Sequence, residues 1–412
     1  MTLPDVTVLA QFTNPLSADF IFDGPTGIFD GGLFAGSATT DLSTFTKGTL
    51  SIRRGRSNAL DNFSAGQATI TLEDPDRRFD ASNVSSPYVG ELGPGRQFII
   101  QSHGVTIFTG STTGYTMSDE TSFAYTDVVV TLEDLLGPLG RRPMTEWTTT
   151  SQLPGERINA VLNRAEVDLP VAQRDIGVGV SVLQGDNVSA GSSTVNYLQL
   201  VAASDMGRLF ASRVDVLVFQ DRVSAAVTPI TVRIMDAPTL ELDVEPARVT
   251  RSNTIRDQYN RVTVDRVGGI AQSAALASAV ILAQGGVRTL SRSGLLLVDD
   301  AASQAMADWL LAIYSEARNR VSDVVVNLAP LPLALTQALL GIELGDRVTM
   351  IFTPNGVGAA VTVTLAVESL THSISAFAQS LTLGVSVVDN STPFVFDDVT
   401  FGTFDGPGLF IF

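Results

Sequence analysis

Three carboxylates in seven residues, Asp74, Asp76 and Asp80, with Arg77 and Arg78 between them, make the nearest approach to a cation site in this chain. A calcium loop begun at Asp74 needs a glycine at its sixth position and a glutamate at its twelfth. Those positions hold Phe79 and Ser85. The spacing instead predicts that Asp74, Asp76 and Asp80 pair with Arg77 or Arg78 and hold a loop. The two histidines, His103 and His372, belong to no H-E-x-x-H or clustered spacing, so a zinc site is not expected. Both are read as surface or structural residues in corresponding places of two hairpins. The adjacent pairs Glu73/Asp74, Glu133/Asp134 and Asp397/Asp398 would point to opposite faces of a strand. No pair by itself makes the facing carboxylates of a glycosidase. No G-x-S-x-G elbow or phosphate-binding glycine loop occurs, and Gly177-Val178-Gly179 is a poor imitation of one.

Composition narrows the classes further. There is no cysteine, which excludes disulfides, a thiol nucleophile and Cys-ligated zinc or iron–sulfur clusters. A formal net charge of −17 argues against holding nucleic acid by its phosphates. It suits either a wall that DNA slides past or simple solubility. Residues 1–20 lack the pattern of a signal peptide, and the apolar run Ala274 to Ala283 is too short to span a bilayer. A soluble protein made in a cytoplasm is the expectation. The four N-x-S/T matches at Asn62, Asn83, Asn187 and Asn390 are then chance.

The elements around the Asp74 cluster are legible. Ala68, Ile70 and Leu72 alternate with Thr69, Thr71 and Glu73, the period of a half-buried strand. From Asp74-Pro75 to Pro94-Gly95 the chain is polar, proline-pinned and aperiodic, so a long ordered loop is expected. Arg96 to Ile100 and Val105 to Gly110 then read as two strands joined around Ser102-His103-Gly104. Gly66, Ala68, Leu72, Asp76, Arg78, Phe79, Asn83, Ser86, Pro87, Tyr88, Leu92, Pro94, Gly95, Arg96 and Gly110 stand in an order that resembles minor tail proteins of long-tailed, non-contractile phages. More narrowly, they resemble the tail-tip, or baseplate, hub. The resemblance implies two tube-like β domains in each subunit of a homotrimer that continues a six-fold tube.

Downstream, Ile158, Val161, Leu162 and Ala165 share a helix face, as do Tyr197, Leu198, Val201 and Ala202 behind a Gly191-Ser192-Ser193-Thr194 cap. Phe210 to Arg222 reads as a hairpin. Asp300 is expected to cap a helix with the stripe Met306, Trp309, Leu310, Ile313, Tyr314 and Ala317, which is read as core. Gln284 to Leu290 resembles a further hub motif. Gly95 to Ile100 is similar to Gly345 to Met350, and Val105 to Met117 to Val361 to Ile374, which suggests that the two β domains are related.

The expected fold is α+β and mainly β. Residues 1–44 form an N-terminal Gly/Asp/Phe-rich extension, and 45–145 a first tube-like β-barrel or sandwich domain. Residues 146–245 form an α+β insertion, and 246–390 a second tube-like β domain with one long helix. Residues 391–412 repeat the Phe/Asp/Gly phrase of the N-terminus. In the two copies of that phrase Phe20, Phe22, Phe29, Phe34, Phe394, Phe396, Phe404 and Phe410 are candidate partner-contact anchors. Six such phrases in a trimer would match a six-fold ring.

No catalytic residue, metal or cofactor is expected. The resemblance implies a structural virion protein of the tail tip. It would close the tube, dock to the distal tail ring and the tape-measure C-terminus, and carry a fibre or central spike. It would let phage DNA pass without specific binding, and it has no membrane span. A distal tail ring or receptor-binding protein, and a tail-associated cell-wall hydrolase, stay open as alternatives.

Overall fold

Every second residue from Gly66 to Leu72 is buried, and the same alternation holds Val128, Val130 and Leu132 inside and their neighbours out. Strands patterned this way bury one face and leave the other to water. A computed structural model of the chain describes residues 5–12, 38–119, 126–227, 230–238, 240, 243–252, 258–315 and 320–387. Fourteen strands form one large sheet, and they are numbered here in chain order. The first seven are β1 (Val6–Phe12), β2 (Ala38–Asp41), β3 (Thr46–Gly55), β4 (Ser64–Glu73), β5 (Gln97–Ser102), β6 (Val105–Asp119) and β7 (Thr126–Glu133). The second seven are β8 (Ile230–Met235), β9 (Asp243–Val244), β10 (Arg248–Ser252), β11 (Arg320–Asn327), β12 (Arg347–Phe352), β13 (Val361–Ile374) and β14 (Gln379–Val387).

The strand order is β2-β1-β5-β6-β7-β4-β3 in the first set and β9-β8-β12-β13-β14-β11-β10 in the second. Adding seven to each label turns one order into the other, so the sheet holds two copies of one strand order. β3 of the first module pairs antiparallel with β13 of the second and joins the two. The chain is therefore α+β and mainly β. Of the expected barrel or sandwich form, the closed barrel is corrected: among the described residues the sheet does not close on itself, because β13 takes the edge of β3 that closure would need.

The connections carry the variety. Between β4 and β5 lies the predicted ordered loop, and its own residues hold it. Asp74 accepts from the amides of Arg78 at 2.6 Å and Phe79 at 3.0 Å, Arg78 reaches Asp76, and Arg77 reaches Asp80. Phe79 is fully buried and stacks on Tyr88, with ring centroids 5.5 Å apart. Between β11 and β12 the same place is taken by the helix Leu333–Leu340. Strands Ile230–Met235 and Asp243–Val244, which fall in the 146–245 segment, pair within the second module's sheet.

Two smaller units are spliced in. The first spans β7 to β8 and holds the helices Pro154–Leu162 and Thr194–Ser204, the latter capped by Ser193. It also holds the antiparallel pair Arg208–Ala211 and Leu217–Gln220, the predicted hairpin. Arg157 is fully buried here, and its guanidinium is satisfied by Tyr197 Oη and the Thr150 and Gln184 carbonyls. The second unit lies between β10 and β11. The helix Asp300–Tyr314 packs on a three-stranded sheet around its own core of Val262, Val264, Leu290, Leu295, Met306 and Leu310. Trp309 and Ile313 pack partly buried against that core, as predicted, and Ala317 lies outside the described residues. The helix cap is Asp299, which accepts from the Ala302 amide; Asp300 instead pairs with Arg266. Arg288 of the Gln284–Leu290 motif closes the base of this unit through the Gln258 and Gln284 carbonyls and the Gln258 amide oxygen.

Candidate functional site, a locked seam between two sheets

The site that distinguishes this molecule is the joint between the two modules. Gly55 to Leu50 of β3 run opposite Ser369 to Ile374 of β13. A Cβ on Gly55 would lie 2.2 Å from the Glu368 carbonyl oxygen, so only glycine lets the strands meet there.

A bulge sets the geometry at this point. The β13–β14 register shifts between Val367 and Ser369, and the β6–β7 register shifts between Thr112 and Gly114. The bulged residues, Glu368 and Thr113, are equivalent. Upstream, Gly345 donates to the Val367 carbonyl and Val367 back to Asp346; Gly95 donates to the Thr112 carbonyl and Thr112 back to Arg96. Gly345 and Gly95 have φ of 86° and 85°. The duplication extends to individual backbone hydrogen bonds, and the bulge is a repeated device.

What the bulge presents differs. Glu368 is buried and collects Arg56 Nε at 2.6 Å, Arg208 Nη2 at 3.4 Å and the Ser386 hydroxyl at 2.6 Å. Those groups come from the first module, the insertion and the second module, so one carboxylate ties three parts of the chain. Burial pushes the Glu368 carboxyl up, but the guanidiniums of Arg208 and Arg56 outweigh it and hold the carboxyl at about 2. Beside it Arg54, 2 % exposed, donates to Glu343 at 2.5 Å and to the Ala211 carbonyl at 2.7 Å. Glu343 also accepts from the Arg213 amide.

Two further carboxylates hold the insertion against the first module. Asp134 accepts from the amides of Gly66 and Leu136, and Asp215 from the amide of Leu135. Burial pushes Asp134 up to about 7 and Asp215 up to about 6. His372 sits in β13 opposite Ile52, and burial, with the Arg54 charge, holds its imidazole down at about 3. It is a neutral core residue. The expected correspondence of the two histidines is corrected: His103 lies in the β5–β6 turn at φ 50°, whereas His372 lies inside a strand.

A groove of about 580 Å³ flanks the seam, lined in part by Asp175, Phe210, Val216, Glu343 and Asp346. Two of its carboxylates are engaged: Glu343 by Arg54, and Asp346 by the Glu343 amide. Among the described residues no three His, Cys, Asp or Glu side chains group as a metal site. The eight candidate anchors, Phe20, Phe22, Phe29, Phe34, Phe394, Phe396, Phe404 and Phe410, lie outside the described residues, as do Asp397 and Asp398. The sequence reading missed the seam. Its signals were the Arg53-Arg54-Gly55-Arg56 run and a lone Glu368 in a strand of apolar and hydroxyl residues.

The overall fold recurs in solved structures. The chain is similar to the 43 kDa tail protein of prophage MuSo2 from Shewanella oneidensis, with a TM-score of 0.58 and 12% identity over 92% of this chain and 97% of that one. It is equally similar to a tail protein from Neisseria meningitidis MC58, with a TM-score of 0.58 and 12% identity over 93% and 97%. The fold is that of phage tail proteins. The E. coli c3393 protein, described as a component of the type VI secretion system, matches with a TM-score of 0.50 and 10% identity over 84% of this chain and 74% of that one. No family model matches the sequence, and no curated protein is similar to it.

Proposed function

We propose that this protein is a structural component of a phage tail tip, the hub that closes the tail tube as a homotrimer. The observation that carries the reading is the seam. It joins the outer edge of β3 in the first module to the far half of β13 in the second. The equivalent edges at the other ends are exposed: among the described residues, Gly114–Asp119 of β6 pair with β7 alone, and β10 pairs with β11 alone. Copies can therefore add head to tail by the same strand pairing, and a head-to-tail contact that closes makes a ring. Two modules per copy make three copies the number that continues a six-fold tube.

The solvent face of these strands supports a bore that DNA crosses without specific binding. Ser51, Thr69, Thr71, Thr131, Thr371 and Thr382 lie on it beside few charges: Lys47 pairs with Asp127, and Arg53, opposite Thr371, is exposed. A wall this rich in hydroxyls and poor in cations holds phosphate weakly, which fits the net charge of −17. The distal tail ring, the tape-measure C-terminus and a fibre or central spike are the proposed partners. The terminal Phe/Asp/Gly phrases are the proposed contacts for one of them. The place of action is the tail tip of the virion, with synthesis in a host cytoplasm. No enzymatic role is proposed; a muralytic assay is expected to show no turnover.

The mass of the purified chain by native mass spectrometry tests the reading. Three copies is the expected result. Six would favour a distal ring, and a monomer at every concentration would contradict the hub.

A further inference from the structure

The two ends of the repeat are built alike in backbone and unlike in charge. At the internal seam Glu368 holds Arg56 and Arg208, and Arg54 holds Glu343. Three of these charges, Glu368, Glu343 and Arg54, have an equivalent position among the described residues at the outer edges. Thr113 stands for Glu368, Gly93 for Glu343, and Arg53-Arg54 is replaced by Arg251-Ser252. Thr113 is exposed and spends its hydroxyl on Thr131, 2.7 Å away within its own module. An outer joint of Gly114–Asp119 with Arg248–Ser252 therefore has the strand pairing without the Glu368 carboxylate or the Arg54–Glu343 pair.

The consequence follows from how buried charge behaves. A carboxylate enclosed with two guanidiniums cannot be parted cheaply, because separation leaves uncompensated charge in a dry site. Backbone pairing at an exposed edge has no such penalty, since water replaces each hydrogen bond. The outer edge offers Tyr115 and Met117 where the internal seam has Leu370 and His372. Met117 is 36% exposed in the single chain.

We infer that the joint between copies, Gly114–Asp119 of one against Arg248–Ser252 of the next, is the separable one, and that the internal seam stays closed when it parts. This rests on the ring reading above and adds which line in the ring opens. Thr113 is then a specificity position: a residue that cannot lock leaves the joint reversible. The chain is made as a preformed pair of modules that joins other copies without refolding.

Hydrogen–deuterium exchange of the full chain, measured across a dilution series with mass recorded in parallel, tests this. The expected result is that protection of 114–119 falls at least about tenfold as the assembly dilutes, while protection of 369–374 does not change with concentration. Glu368→Gln should raise exchange at 369–374 and leave the concentration dependence at 114–119 as it was. If that variant fails to fold, the wild-type dilution series still decides. Loss of protection at both segments together would overturn the inference and leave the ring intact. A monomeric mass with 114–119 unprotected at every concentration would overturn the ring and the inference with it.

Discussion

The two modules share their five-strand core and differ at their first strand. β3-β4-β7-β6-β5 and β10-β11-β14-β13-β12 are antiparallel throughout, with the bulge at the same residue. β1, however, runs antiparallel to β5, whereas β8 runs parallel to β12. Reversing that strand leaves the other five undisturbed. β1 sits on the far side of its core from the seam and β8 one strand away from β13, and each takes its direction from where the chain arrives, from the N-terminus in one case and from the insertion in the other. The core is held by the bulge and its glycine, and the outer strands are free to vary. The same holds for the connections: the loop 74–96 and the helix Leu333–Leu340 fill one place with different structure.

The comparison is broken most severely at the bulge. Glu368→Gln should cost about 3–5 kcal/mol in urea unfolding, the range for removing one member of a buried ion pair. Thr113→Ala, at the equivalent site, should stay within about 0.5 kcal/mol. Equal effects would mean that the two bulges carry equal load.

The glycines come next. Gly345→Ala and Gly95→Ala each place a side chain at positive φ and should each cost about 1–2 kcal/mol. Gly345 should be the costlier, because a Cβ there meets Gln220 Oε1 at 2.7 Å, while nothing lies within 4 Å at Gly95.

A smaller effect separates the two kinds of buried carboxylate by the sign of their pH dependence. Asp134 is raised in the folded state, so its contribution to stability is greatest in acid and declines as pH rises from about 4 to about 7. Glu368 is lowered, so its contribution is present above about 4.5 and lost as pH falls toward about 2. Unfolding midpoints followed across pH should show the first slope flattened in Asp134→Asn and the second flattened in Glu368→Gln. The smallest effect on the single chain is expected of Arg251→Glu at the exposed edge, within about 0.5 kcal/mol in unfolding, while it weakens association by mass measurement.

Local pattern revealed β4, β5 and β6, the ordered loop and the helices Pro154–Leu162, Thr194–Ser204 and Asp300–Tyr314. Ala68, Ile70 and Leu72 gave β4 by alternation, and the phrases Gly95–Ile100 and Gly345–Met350 revealed the repeat because both must turn at a glycine before a bulge. The seam was illegible for a physical reason. Glu368 and Arg56 are 312 positions apart, and nothing periodic in either strand marks a partner at that distance. The direction of β8 was hidden likewise, since an alternating strand reads the same whichever way it runs.

The central claim is that the internal seam is repeated between copies, and a disulfide trap tests it directly. Arg53 lies opposite Thr371 inside the chain, and the equivalent residues are Arg251 and Thr116. Opposed residues of antiparallel strands lie within disulfide reach, and the chain has no cysteine to confuse the result. Oxidised Thr116→Cys/Arg251→Cys protein should run as covalently linked copies up to a closed trimer, with either single substitution giving none. Linkage confined within one chain, or no linkage under oxidising conditions, would contradict it.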